Sequence, residues 1–70
     1  MNQKTILGID PGTNVLGYAM IRTNGKVIDM LTMGVIEMQK INDPYEKLHK
    51  IFSRITSLID EFKPDELAIE

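Results

Sequence analysis

Two acidic residues are placed where chemistry could be done. Asp10 closes the short apolar run Thr5-Ile6-Leu7-Gly8-Ile9 and is followed by Pro11-Gly12-Thr13-Asn14; Glu70 closes a second run, Leu67-Ala68-Ile69. An apolar run such as that before Asp10 reads as a strand buried on both faces, and a carboxylate at the carboxyl end of a central strand is a common place for a ligand or metal. If the two runs are adjacent parallel strands, the carboxylates stand about 4.8 Å apart laterally. Like charges that close repel unless a cation lies between them. Oxygen donors of this kind suit Mg²⁺ or Mn²⁺ rather than zinc, and hard cations held by carboxylates serve phosphoryl transfer. Plainer readings remain open. Asp before Pro-Gly is good turn chemistry, and Glu70 can be simply the last polar residue of a strand. The stretch from Asp10 to Gly17 also permits a phosphate-wrapping hairpin, the first loop of an actin- or Hsp70-like ATPase or sugar kinase.

Positioning these residues falls to five elements. Strand one spans Thr5 to Ile9, a tight loop Pro11 to Asn14, and strand two Val15 to Arg22. Strand two carries apolar residues on both faces (Leu16, Tyr18 and Met20 against Val15, Gly17, Ala19 and Ile21), so both faces are expected to be covered. Asn24-Gly25 between apolar runs predicts a hairpin. Strand three then runs from about Lys26 to Met38, with Ile28, Met30, Ile36 and Met38 on one side and a bulge or bend at Gly34. Asp43-Pro44-Tyr45-Glu46 predicts a helix start. The helix continues to about Phe62, with Leu48, Ile51, Phe52, Ile55, Leu58, Ile59 and Phe62 as its apolar stripe. Lys47, Lys50 and Arg54 fall outside that stripe and read as a solvated face. Lys63-Pro64 stops the helix, and strand four spans Glu66 to Glu70.

The order is therefore β-β-β-α-β. A right-handed crossover returns strand four parallel to strand one, on the side away from strand two, and the expected sheet order is 3-2-1-4.

Composition narrows the function classes. Seventy residues make one small domain, marginal in core size without staples or partners. The absence of Cys excludes disulfides and Cys-based zinc sites. Eight Lys plus Arg against ten Asp plus Glu give a net charge of −2, which is not the balance of a domain that holds nucleic acid by its own field. Apolar runs fall far short of the ~20 residues that span a bilayer, so no membrane role and a cytoplasmic location are expected. His49, the single histidine, sits beside the helix stripe and reads as solvated; Met20, Met30, Met33 and Met38 read as core filler. Strand four ends as a buried strand would in its middle, so the chain is expected to be the N-terminal piece of a longer protein.

Taken together, Ile6-Leu7-Gly8-Ile9-Asp10-Pro11-Gly12, then Gly17-Tyr18-Ala19, then Lys63-Pro64-Asp65 with Ala68-Ile69-Glu70, resemble the N-terminal half of the RuvC family, the crossover junction endodeoxyribonucleases that resolve Holliday junctions. The resemblance covers nearly the whole chain. It implies an α/β, ribonuclease H-like fold, here partial, with residues 1–70 as part of one nuclease domain. It implies a homodimer that nicks opposed strands of a four-way junction symmetrically and works with the RuvA and RuvB branch-migration proteins. It also implies four acidic or equivalent residues binding two Mg²⁺ ions, with Mn²⁺ as a possible substitute. By motif, Asp10 and Glu70 match the first two of these ligands, as catalytic and metal-binding residues. The other two ligands, most of the dimer contact and most of the basic DNA-binding surface belong to the family's remaining sequence.

Overall fold

The computed structural model describes residues 3–70. From the sequence, Met1 to Lys4 reads as a polar lead-in; Met1 and Asn2 lie outside the described residues, and Lys4 already belongs to the first strand. The elements are β1 (Lys4–Pro11), β2 (Val15–Thr23), β3 (Ile28–Glu37), α1 (Pro44–Phe62) and β4 (Glu66–Ile69). They form one sheet in the order β3-β2-β1-β4. β1 is antiparallel to β2 and parallel to β4, as the crossover rule requires.

Local sequence explains the joints. The β2–β3 connection is a four-residue loop rather than the two-residue turn that Asn-Gly suggests, because Thr23 pairs with Ile28. Asn24 closes this loop: its side-chain oxygen accepts from the Lys26 and Val27 amides, each at 3.0 Å, an Asx-type substitute for a backbone turn. Asp43 caps α1 by accepting from the Tyr45 amide at 3.0 Å, with Pro44 in the first turn. At the other end Lys63 adopts a left-handed conformation (φ 47°) and donates its N–H to the Ile59 carbonyl at 2.8 Å, ending the helix one residue before Pro64. Asp65 then seats β4. Its carboxylate accepts from the Thr5 amide at 2.9 Å, and its own amide donates to the Thr5 carbonyl at 2.7 Å. Lys4 and Glu66 add an ion pair of 2.6 Å at the same end, both half-exposed. The hydrogen bond to Glu66, and the charge of that carboxylate, raise the Lys4 pKa. What this pair contributes is therefore present below the ordinary Lys range and lost as pH rises through the raised value, and at the surface it is small.

The core lies between one sheet face and α1: Leu7, Leu16, Tyr18, Met20, Ile36, Met38 and Leu58 are buried, with Ile9, Leu31, Ile51, Ile55 and Phe62 packed against them. Covering of both faces is not observed. α1 is the one helix among the described residues, and it covers one face. The other face leaves Met33 67% and Val35 59% exposed. Leu48, Phe52 and Ile59 of the predicted helix stripe are exposed as well.

β3 departs from its expected phase. Met20 pairs with Thr32 and Ile21 with Met30, which leaves Leu31 as an unpaired bulge residue. One inserted residue turns everything beyond it to the other face. Hence Ile36 and Met38 are buried under α1, while Ile28 and Met30 are 69% and 57% exposed instead of sharing their side; of the four strand methionines only Met20 and Met38 fill the core.

The bulge or bend expected at Gly34 lies at Leu31 instead, and Gly34 is regularly paired. It lies opposite Tyr18, and a Cβ at Gly34 would stand 2.6 Å from the Tyr18 hydroxyl. Tyr18 is buried and its hydroxyl is held by Arg54, so the ring cannot simply swing away. Gly34→Ala is expected to cost about 1–3 kcal/mol, read as a lowered urea midpoint at unchanged slope. A midpoint equal to that of the unsubstituted chain would show that the ring yields freely.

Candidate active site

The parallel β1–β4 register brings the two candidate carboxylates together. Ile6 through Ile9 pair with Glu66 through Ile69 in step, so the next residues along, Asp10 and Glu70, come side by side. Asp10 still pairs with Gly17 inside the β1–β2 ladder, and Glu70 sits one residue past β4, its amide donating to the Ile9 carbonyl at 3.1 Å. Strand alternation places Asp10 with Ile6 and Gly8, on the face opposite Leu7 and α1. Glu70 shares that face through Ala68, the partner of Gly8.

Together they line an open concavity of about 430 Å³ whose floor is Gly8, Gly17, Ala19 and Ala68 and whose wall is Met33 and Val35. The floor residues carry a methyl group or nothing, so a phosphodiester or other extended group can approach the backbone closely. A larger concavity, about 530 Å³, lies elsewhere, between β3 and α1.

The geometry bears on whether Asp10 is a turn residue. A turn-capping Asp accepts from an amide two or three residues on, as Asp43 does. Among the described residues nothing donates to the Asp10 or Glu70 side chains, and both residues are exposed. The turn is closed instead by Gly12, where a Cβ would meet the Val15 carbonyl oxygen at 2.6 Å. The two carboxylates are thus left free to accept from an external group. Their oxygens fit a hard divalent cation, though as a pair only: no cluster of three or more His, Cys, Asp or Glu residues is found among the described residues.

Sequence reasoning missed the contact between α1 and β2. Arg54 Nε and Nη2 donate to the Tyr18 hydroxyl at 3.1 and 2.6 Å. The helix pattern alone places Arg54 on a solvated face, and no spacing rule relates positions so far apart in the chain. His49 is exposed, as expected, and apart from the carboxylate pair.

The sheet order with its helical crossover defines the chain as part of a ribonuclease H-like fold bearing two adjacent carboxylates. The chain belongs to the RuvC family: the model described as "Crossover junction endodeoxyribonuclease RuvC" matches residues 6–70. Among curated relatives of that description, the Porphyromonas gingivalis protein is 48% identical over 68 residues, covering 97% of this chain and 36% of the relative. The Cytophaga hutchinsonii protein is 51% identical over 67 residues, covering 96% and 34%. The chain spans about a third of the length of these relatives. The Thermus thermophilus RuvC structure superposes with a TM-score of 0.84 at 25% identity, covering 93% of this chain and 43% of that one. An Aquifex aeolicus PPX-GPPA enzyme superposes at 0.76 with 14% identity, covering 97% and 26%. That likeness speaks for the fold alone, and fold does not fix chemistry. No helix among the described residues is long and apolar enough to cross a membrane.

Proposed function

We propose that the protein that carries this chain is a divalent-metal-dependent endonuclease that resolves four-way DNA junctions by paired symmetric nicks in recombination and repair. The observation that carries this reading is the Asp10–Glu70 pair, side by side and without protein partners on a floor of Gly and Ala, in a chain of the RuvC family. Asp10 and Glu70 would hold Mg²⁺, or Mn²⁺ in its place. A bound divalent cation supplies positive charge against the phosphodiester and makes water a usable nucleophile at neutral pH. The chain's own contribution is to fix two ligand carboxylates on rigid strands, Asp10 through its ladder to Gly17 and Glu70 through its amide on Ile9, above a floor that admits the scissile phosphate. Residues 1–70 are then the N-terminal part of one nuclease domain, supplying two of four ligands. A homodimer presents two such sites to opposed strands, in the cytoplasm and alongside RuvA and RuvB.

The test is cleavage of a synthetic four-way junction with Mg²⁺ or Mn²⁺. The protein that carries this chain is expected to give paired nicks that ligase seals, and the 70-residue chain by itself to give none. Robust cutting by the isolated chain would show that two carboxylates suffice. No cutting by the full protein with either metal would remove the nuclease reading.

A further inference from the structure

We propose that the corner between the end of β3 and α1 is a second DNA contact, binding the phosphodiester backbone of a duplex arm while the carboxylate site engages the reacting strand. The inference rests on the nuclease reading above and adds to it a surface not contained in the Asp10–Glu70 site. Lys50, Ser53, Arg54 and Ser57 follow the i, i+3, i+4, i+7 spacing of one helix face, and all four line the 530 Å³ concavity against β3. Lys40 joins them, lining with Lys50 an adjoining notch. Three cations and two hydroxyls thus converge on one concave corner of a chain whose net charge is −2.

Two of the cationic heads are held in place by neutral partners. Arg54 is fixed by the Tyr18 hydroxyl. Lys50 Nζ donates to the Glu37 carbonyl oxygen at 2.6 Å. Neither bond neutralises the charge, and both leave donors unused, since a guanidinium has five N–H groups and an ammonium three. Glu46 stands one turn before Lys50, yet Lys4–Glu66 is the one ion pair among the described residues. Glu37 also lines both concavities but forms no ion pair with Lys40, Lys50 or Arg54, and held positive charge left unpaired is the arrangement of an anion site.

Position favours a polyanion over a small anion. β3 ends at the same end of the sheet as Asp10: Asp10 pairs with Gly17 and Gly17 with Val35. The Met38 amide ties the β3 exit to the Asn14 carbonyl in the Asp10 loop at 2.7 Å. The corner is therefore two strands from Asp10, a lateral step of about 10 Å, at the same end of the sheet but on its α1 side, whereas Asp10 faces away from α1. Duplex DNA presents a phosphate every ~3.4 Å of axis on each strand, so an arm that passes over this end of the sheet can engage the corner on the α1 side while the reacting strand reaches the carboxylates on the other.

The test is the salt dependence of junction binding without metal, in EDTA, by the protein that carries this chain. Lys40→Gln with Lys50→Gln removes two exposed charges without touching the core. Arg22→Gln with Lys26→Gln, toward the hairpin end of the sheet, is the charge-matched control. The corner variant is expected to bind the junction roughly tenfold more weakly at moderate salt and to flatten the slope of log K against log salt by about 1.8, about 0.9 per lost phosphate contact. The control should keep the original slope. A corner variant that binds like the control would overturn the proposal, as would displacement of the junction by millimolar inorganic phosphate, which would mark a small-anion site. A protein that shows the slope change but never cuts would sink the nuclease reading and leave this contact standing.

Discussion

Asp10→Asn in the protein that carries this chain is expected to slow cleavage of a four-way junction by about 10³-fold or more, some 4 kcal/mol of lost transition-state stabilisation. Binding of the same junction in EDTA should stay within about twofold. Asn keeps the size of Asp and one of its oxygens, but it removes the negative charge and puts N–H donors where a cation would sit. The substitution separates chemistry from folding because the Asp10 carboxylate accepts no hydrogen bond from the described residues and is exposed. The melting temperature should therefore be unchanged, and a lower one would return Asp10 to the role of turn residue. Wild-type cutting by the variant would remove Asp10 from the ligand set. Glu70→Gln, beside it, is the parallel case.

Why the carboxylate pair was legible in the sequence, and the rest of its surroundings less so, follows from the range over which each signal acts. The strand–turn–strand pattern around Asp10, the Asp43-Pro44 cap and the Lys63-Pro64 stop are local, and chain connectivity then leaves the 3-2-1-4 order as the natural closure. The register that sets Glu70 beside Asp10 follows once Asp65 is anchored on Thr5. The bulge at Leu31 had a weaker local signal: Met30-Leu31 places two apolar residues in succession and breaks the period of two. Gly34 has no local signal for its role, because the reason for it lies across the sheet, in the ring of Tyr18. The Arg54–Tyr18 bond has no sequence signal at all, since it depends on where α1 lies over β2. The sequence-based expectation that β1 and β2 are covered on both faces came from composition, which reports the apolar character of a face and not what lies on it. Among the described residues α1 covers one face, and Met33 and Val35 remain exposed on the other.

That one-sided core makes the second large prediction a sharp one. Leu7→Ala is expected to destabilise the chain by about 2–5 kcal/mol. Leu7 is fully buried at the centre of the sheet, between Met20 on β2 and Leu67 on β4, so strands on both sides hold their positions and the vacated space cannot easily collapse. A chain of this length has a total stability of only about 3–10 kcal/mol at typical per-residue values. The loss is therefore comparable with the whole, and a shift in melting temperature of about 4–8 °C per kcal/mol follows. Ile28→Ala removes nearly the same side chain from a position that is 69% exposed, and it should change stability by less than about 0.5 kcal/mol. Urea unfolding of the two variants side by side makes the comparison. Equal losses would mean that Ile28 is buried in solution, placing a covering on the open face; a negligible loss at Leu7 would mean that the β1–α1 packing is not the core. Since Asp10 is held by the same strand three residues on, Leu7→Ala should also lower cleavage by the full protein, but in proportion to the unfolded fraction and with recovery on cooling toward the temperature of maximum stability. Asp10→Asn should show no such recovery, which distinguishes a residue that holds the site from one that forms it.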